Sequence, residues 1–86
     1  VLLNQEKYIT GSACLSFGKL PIAFKNCKHI FNLSLSENLF EASHLLYEGL
    51  RYLDKFELKF IQVLPIPSKG IGKALNDRLK RASFNE

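Results

Sequence analysis

The chain has 86 residues, which is enough for one domain spanning residues 1–86. Its composition, 47% hydrophobic and 23% charged, is typical of a globular protein and excludes a disordered chain. The net charge of +4 is compatible with an anionic partner but excludes an arginine-rich nucleic-acid arm.

The first third of the chain contains two predicted strands. In residues 1–12, VLL (1–3) offers the end of a strand, whereas NQEKYITGS (4–12) is polar and turn-like. ACLSFG (13–18) is typical of a short strand, and the alternating segment KHIFNLSL (28–35) is typical of a second one. Between them, KLPIAFKN contains a proline and predicts a loop or an edge segment.

The clearest predicted element is a helix. Ser36 is placed to cap the amino end of a helix that begins at Glu37 and ends between Asp54 and Phe56. At about 100° per residue, one face of this helix carries a stripe of small or apolar residues, namely Leu39, Ala42, Ser43, Leu46, Leu50 and Leu53. Such a stripe predicts that the helix packs on a sheet.

A third strand and a second helix complete the pattern. LKFIQVLPI (58–66) is nearly all apolar in its middle, as in a parallel strand covered on both faces. Two prolines stop this strand, and a helix is predicted from Gly70 or Ile71 to Ala82. Strands alternating with helices predict an α/β fold, in which ligands bind beyond the carboxyl ends of the strands.

The segment between the third strand and the second helix has features of an anion site. Gly70 and Gly72 permit close backbone approach, and a helix start offers free N–H groups. Lys69 and Lys73 add charge, so these four residues are the phosphate-binding candidates. The phosphate-loop pattern is absent, and Leu75 stands where the dinucleotide pattern has its third glycine. The alternative is a structural turn, with Gly70 or Gly72 in a conformation that other residues avoid.

Arg78 is predicted to share the apolar face of the second helix with Ile71, Ala74, Leu75 and Ala82. A buried guanidinium needs a partner, which Asp54 or carbonyls at strand ends could supply. The prediction is therefore a largely buried, paired Arg78 that fixes the helix. The alternative is a role in binding a ligand or another domain.

Two further residues of the first helix, Leu45 and Tyr52, lie together on the side away from its main stripe. One interpretation is that they are scattered exposed apolar residues, which are normal on a protein surface. The other is a docking patch for another domain, which would make both of them interface residues.

The reactive side chains form no recognisable catalytic pattern. Cys14 and Cys27 lack the spacing of metal ligands, and two thiols in a small chain predict a reducing, cytoplasmic setting. For Cys27 and His29, a metal site stands as the alternative to a buried thiol beside a strand histidine. Neither His29 nor His44 accompanies a nucleophile motif, so the chain alone is predicted to have no enzymatic activity and no metal. No apolar run approaches the roughly 20 residues of a membrane helix, and no membrane partner is predicted.

Two segments resemble the C-terminal domain of the long, two-domain threonylcarbamoyl-AMP synthases. ASHLLYEGLRYLD (42–54) is similar to a helix of the type A-x-x-L-[FY]-x-x-L-R-x-L-D. PIPSKGIGKALNDRLKRAS (65–83) is similar to P-x-x-G-x-G-x-A-[IVL]-x-[DN]-R-L-x-[KR]-A. The resemblance covers residues 36–83, and Lys69 departs from it because the family often has an acid there.

In that family a YrdC-like domain makes threonylcarbamoyl-AMP from threonine, bicarbonate and ATP, for the threonylcarbamoyladenosine modification of tRNA. The resemblance implies a small Rossmann-like domain, an open and mostly parallel sheet with helices packed on it. It implies a non-catalytic accessory role beside a YrdC-like domain that this chain lacks. ATP is then the one candidate cofactor, and tRNA is only an indirect partner. The alternatives are a nucleotide- or phosphate-binding regulatory module, or a tRNA-binding module that uses Lys69, Lys73, Lys80 and Arg81.

Overall fold

A three-stranded parallel sheet forms the centre of the fold, as seen in a computed structural model that describes residues 1–84. Strand β1 lies in the middle and pairs in parallel with both neighbours, in the order β2-β1-β3. The strands are β1 (Ala13–Ser16), β2 (Ile30–Asn32) and β3 (Ile61–Val63). The predicted α/β class and all three strands are confirmed, although each strand is shorter than predicted.

Two helices cover one face of this sheet and also pack against each other. They are α1 (Leu39–Asp54) and α2 (Ile71–Phe84). The main core lies between them and the sheet, and its most buried members include Leu15, Leu46, Leu53, Val63, Leu75 and Leu79. The leucine stripe predicted for the first helix therefore does face the sheet.

Helix α1 begins two residues later than predicted, and Asn38 rather than Ser36 is its cap. The side-chain oxygen of Asn38 accepts a hydrogen bond from the backbone N–H of Glu41 at 3.0 Å. Glu37 has a φ angle of 60°, which lies outside a right-handed helix. The prediction of a cap at Ser36 was wrong because the chain makes this left-handed step before it becomes helical.

The opposite face of the sheet is covered by loops and by a 3₁₀ helix of three residues (Ile22–Phe24). Phe24 is completely buried there in a second, smaller cluster with Cys14, Cys27 and Leu64. Burial, together with the nearby Cys27, raises the pKa of the Cys14 thiol to about 12. Burial also raises the pKa of Cys27. Both cysteines are free, protonated core residues, which confirms the prediction of a buried thiol at Cys27.

Gln62 is the one polar residue in the middle of the third strand, and it anchors the amino-terminal segment. Its side chain is completely buried. The Oε1 atom accepts the N–H of Ile9 at 2.9 Å, and the Nε2 atom donates to the Lys7 carbonyl at 2.7 Å. Leu2 also forms a parallel bridge with Gln62, so the first residues of the chain run along the free edge of β3. This pairing agrees with the interpretation of VLL (1–3) as the end of a strand.

Two glycines allow the chain to turn from β3 into α2. Gly70 has a φ angle of 54°, in the left-handed region that favours glycine. Gly72 is so closely packed that a Cβ atom would run into the carbonyl oxygen of Pro67 and lie 3.3 Å from a methyl group of Leu39. The prediction that one of these glycines adopts a conformation that other residues avoid is confirmed by Gly70.

We expect Gly72→Ala to lower the free energy of unfolding by about 2–3 kcal/mol, because the new methyl group meets backbone that cannot easily move. Gly70→Asn is the matched control, since nothing lies within 4 Å of a Cβ at that position and asparagine tolerates a positive φ. Urea unfolding followed by circular dichroism compares the two variants. Equal losses in both would contradict the close approach at Gly72.

We expect the folded chain to resist a chromogenic disulfide reagent at about pH 8, because both thiols are buried and protonated. Cys14 keeps its proton in the folded state above its ordinary pKa of 9.0. Its contribution to stability is therefore complete below about pH 9 and is lost as the pH rises toward about 12.

The free energy of unfolding at several alkaline pH values, compared with that of Cys14→Ala, isolates this effect from tyrosine and lysine titration. Rapid labelling of both thiols in the native chain, or identical pH slopes for the two proteins, would contradict it.

Candidate functional site

The carboxyl ends of the three strands meet at one edge of the sheet, where ligands of α/β proteins usually bind. The turn after β1 and the segment after β2 are joined there: the Gly18 N–H donates to the Ser34 carbonyl at 2.8 Å. The side-chain amide of Asn32 donates to the Gly18 carbonyl at 2.8 Å. Both helices also begin at this edge, since Leu39 of α1 approaches Gly72 of α2.

The four phosphate-binding candidates all lie in this edge, but part of their backbone is already engaged. Lys69, Gly70 and Lys73 are exposed, whereas Gly72 is buried. The N–H of Gly72 donates to the Lys69 carbonyl at 2.9 Å, and the N–H of Lys73 donates to the Gly70 carbonyl at 3.1 Å. An anion needs free, convergent N–H groups, and these two N–H groups are not free to bind one. Phosphate binding by these residues stays a prediction.

Asn76 holds the same turn from the helix side. Its Nδ2 atom donates to the Ile66 carbonyl at 2.9 Å and to the Ser68 hydroxyl at 2.8 Å. This bond pattern fixes the turn against the first turns of α2. Sequence reasoning missed Asn76. The only signal was its position, because a residue four positions after Gly72 lies on the buried side of α2.

Arg78 is exposed, so the prediction of a largely buried arginine was wrong. The buried residues of α2 are Gly72, Leu75 and Leu79, and at about 100° per residue Arg78 lies roughly 90° from the middle of that stripe. The prediction placed the buried face around Ile71 and Ala74, which are both exposed. Gly72 was not counted as a contact residue because it has no side chain. Its close contact with Pro67 nevertheless determines which face of α2 is buried.

Asp54 is not the partner of Arg78. It is exposed at the last position of α1, and within residues 1–84 no ion pair joins it to Arg78. Asp54 instead lines a shallow cavity of about 210 Å³ beside Arg51 and Ile61. On α2, Arg81 and Asp77 form a surface ion pair at 3.0 Å.

Leu45 and Tyr52 do not form one exposed patch. Leu45 is partly buried against the main core, and it lines a cavity of about 550 Å³ at the carboxyl end of β2. Tyr52 is 39% exposed and belongs to a row of rings, with centroids 5.8 Å from Phe31 and 5.3 Å from Phe56. Their role as interface residues stays a prediction.

The sequence reading missed two more exposed apolar residues at the start of α1. Leu35, in the connection from β2 to α1, is 73% exposed, and Phe40, in the first turn of α1, is 62% exposed. Leu35 lines the 550 Å³ cavity together with the acidic Glu41 and with Asn32, whose buried Oδ1 atom has no hydrogen-bond partner. An acid and an unpaired acceptor make this cavity a poor host for an anion.

The remaining candidates are dispersed. Within residues 1–84, no group of three or more His, Cys, Asp or Glu residues could hold a metal ion, and no helix is long and apolar enough to cross a membrane. The ring of His29 packs on Phe56 with centroids 4.1 Å apart, while His44 lies exposed near Phe40. The lysines considered for tRNA binding are exposed, but Asp77 interrupts their stripe on α2.

Comparison with known proteins agrees with the motifs of α1 and α2. A family model described as "Threonylcarbamoyl-AMP synthase, C-terminal domain" matches residues 3–83, which is almost the whole chain. No curated protein and no solved structure matches significantly. The match starts well before the segment in which the resemblance was recognised, so β1, β2 and the amino-terminal strand-like segment are parts of the same family domain. The chain therefore belongs to the family of C-terminal domains of threonylcarbamoyl-AMP synthases, which supports a role in the threonylcarbamoyladenosine modification of tRNA.

Proposed function

We propose that this domain is a non-catalytic accessory unit that supports a YrdC-like domain in the synthesis of threonylcarbamoyl-AMP. The observation that carries the proposal is the family match over residues 3–83. The packing of the histidines suits such a role, since His29 packs on the Phe56 ring and His44 packs on the Phe40 ring. The contribution of the domain is therefore structural or positional, and tRNA is met only by later steps of the modification.

The setting that fits this role is the cytoplasm. Cys14 and Cys27 are free thiols buried in one cluster, which suits a reducing compartment. Both thiols fill core space, so their persistence as thiols needs no catalytic explanation. Localisation by a fluorescent fusion to the full-length protein tests this part of the proposal.

We expect the pure 86-residue chain to release no pyrophosphate from ATP in the presence of threonine and bicarbonate. The physical reason is that the reaction needs one site that orients three substrates together, a task that this proposal assigns to the YrdC-like domain. A two-domain threonylcarbamoyl-AMP synthase serves as the positive control in the same assay.

Removal of this domain from the two-domain enzyme should lower its rate or its thermal midpoint, because a supporting domain acts through contacts with the catalytic one. Threonine-dependent pyrophosphate release by the chain alone, or a truncated enzyme with unchanged rate and midpoint, would refute the accessory role.

The alternative of a nucleotide-binding module depends on the turn at Lys69 to Lys73. Two of its amides already donate to carbonyls of the same turn, and Asn76 braces it from inside. The turn is thus held by hydrogen bonds within the protein, and two of its N–H groups are already engaged. We therefore propose that the glycines serve the fold and that the domain holds no cofactor there.

Titration of the isotope-labelled chain with millimolar ATP tests this. We expect no saturable shift in the amide resonances of Lys69 to Lys73, at low and at moderate salt. If shifts do appear, fall with salt and weaken in Lys73→Ala but not in Lys80→Ala, the turn is a phosphate site after all.

A further inference from the structure

A third cavity lies at the opposite edge of the sheet, where the three strands begin. Its volume is about 430 Å³, within the range of small-molecule sites. Ser12 directly precedes β1, His29 directly precedes β2, and Leu58 comes three residues before β3. Because all three strands are parallel, these segments converge although they are far apart in the sequence.

The polar residues that line this cavity all carry a group that can donate a hydrogen bond. They are Tyr8, Thr10, Ser12, Asn26, Lys28 and His29, and none of the lining residues is acidic. Lys28 is exposed and reaches solvent, whereas His29 is partly buried. A cavity with a cation and several donors, and without a carboxylate, favours an anionic group.

The wall is held in place before any ligand arrives. The imidazole of His29 packs on the Phe56 ring, with centroids 4.1 Å apart. Tyr8 packs on the buried Phe24 with centroids 6.2 Å apart, and its hydroxyl oxygen accepts the N–H of Gly11 at 3.2 Å. Groups fixed in this way lose little freedom on binding, which raises affinity.

Ser12 supplies an independent sign of a missing partner. It is only 2% exposed, and its hydroxyl oxygen has no hydrogen-bond partner within the described residues. Its backbone N–H, in contrast, donates to the Ile9 carbonyl at 3.0 Å. Buried hydroxyl groups are normally paired. Ser16 Oγ and Asn32 Oδ1 are also unpaired within residues 1–84, but of these three residues Ser12 is the one that lines this cavity, which makes its hydroxyl a candidate contact for a ligand there.

We propose that this cavity binds a small molecule through an oxyanion, a carboxylate or a phosphate. Lys28 supplies the charge, and His29 and Ser12 supply hydrogen bonds. Leu58 offers an apolar wall for the carbon part of the ligand. The site is independent of the accessory role proposed above, and it lies at the opposite edge of the sheet from the turn at Lys69 to Lys73.

Two titrations of the isotope-labelled chain test the proposal, one with inorganic phosphate and one with acetate, at ionic strength matched by sodium chloride. Saturable shifts in the amides of Ser12, Lys28 and His29 are expected in at least one of them. The probe that binds more tightly identifies the class of oxyanion. The absence of saturable shifts with both probes would overturn the proposal.

Variants separate a site from general charge attraction. Lys28→Ala should weaken binding roughly tenfold or more, the usual effect of losing a charged hydrogen bond. Lys25→Ala is the matched control, because Lys25 is also exposed and near in sequence but does not line the cavity. Equal affinities for Lys25→Ala and Lys28→Ala would overturn the proposal.

Ser12→Ala tests the unpaired hydroxyl. The variant should unfold at the same urea concentration as the parent, or a higher one, because the hydroxyl makes no bond in the unliganded fold. It should also bind the oxyanion more weakly than the parent does. Loss of stability without ligand, or unchanged affinity, would contradict a ligand-binding role for Ser12.

Discussion

Strand β1 is enclosed on all sides, and the other elements are arranged around this requirement. Its residues are at most 1% exposed, its two edges are paired with β2 and β3, and both its faces are covered. On the helix side, Gly49 lets α1 come close, since a Cβ there would lie 2.9 Å from a methyl group of Leu15 and 2.7 Å from the Phe31 ring. In a chain this short, one fully enclosed strand is an efficient way to bury enough apolar surface.

The two faces of the sheet meet this requirement differently. Leucines of both helices pack against the side chains of the strands, so one face has a conventional apolar core. The other face is covered by loops, and loops carry backbone groups that need hydrogen-bond partners. Gln62 resolves this conflict because its buried amide bonds to the backbone of residues 7–9. A buried polar side chain thus holds the covering segment on the sheet, whereas in a larger fold a third helix would cover this face.

Local pattern predicted the elements, and tertiary contacts decided their details. The leucine stripe of α1 and the glycines of the turn were read correctly because their signals lie within a few residues. The buried face of α2 was misassigned because it depends on the close contact of Gly72 with Pro67, and a hydropathy pattern does not record such a contact. The cavity at Ser12 and His29 was missed for a different reason: its walls come from three segments that only the parallel register brings together.

The two edges of the sheet differ in the charge of the residues that line their cavities, and this difference decides which edge suits an anion. At the carboxyl edge the turn before α2 bonds to itself and to Asn76, and the neighbouring cavity contains Glu41. At the amino edge the cavity is lined by Lys28 and by no acid.

The usual rule places ligands at the carboxyl edge because free N–H groups gather there. In this domain those groups stabilise the turn instead, because Gly72 must sit against Pro67 for α2 to pack on α1. The same close packing that orients the last helix therefore removes donors from the expected site, whereas the cavity where the strands begin keeps the Lys28 cation without an acid beside it.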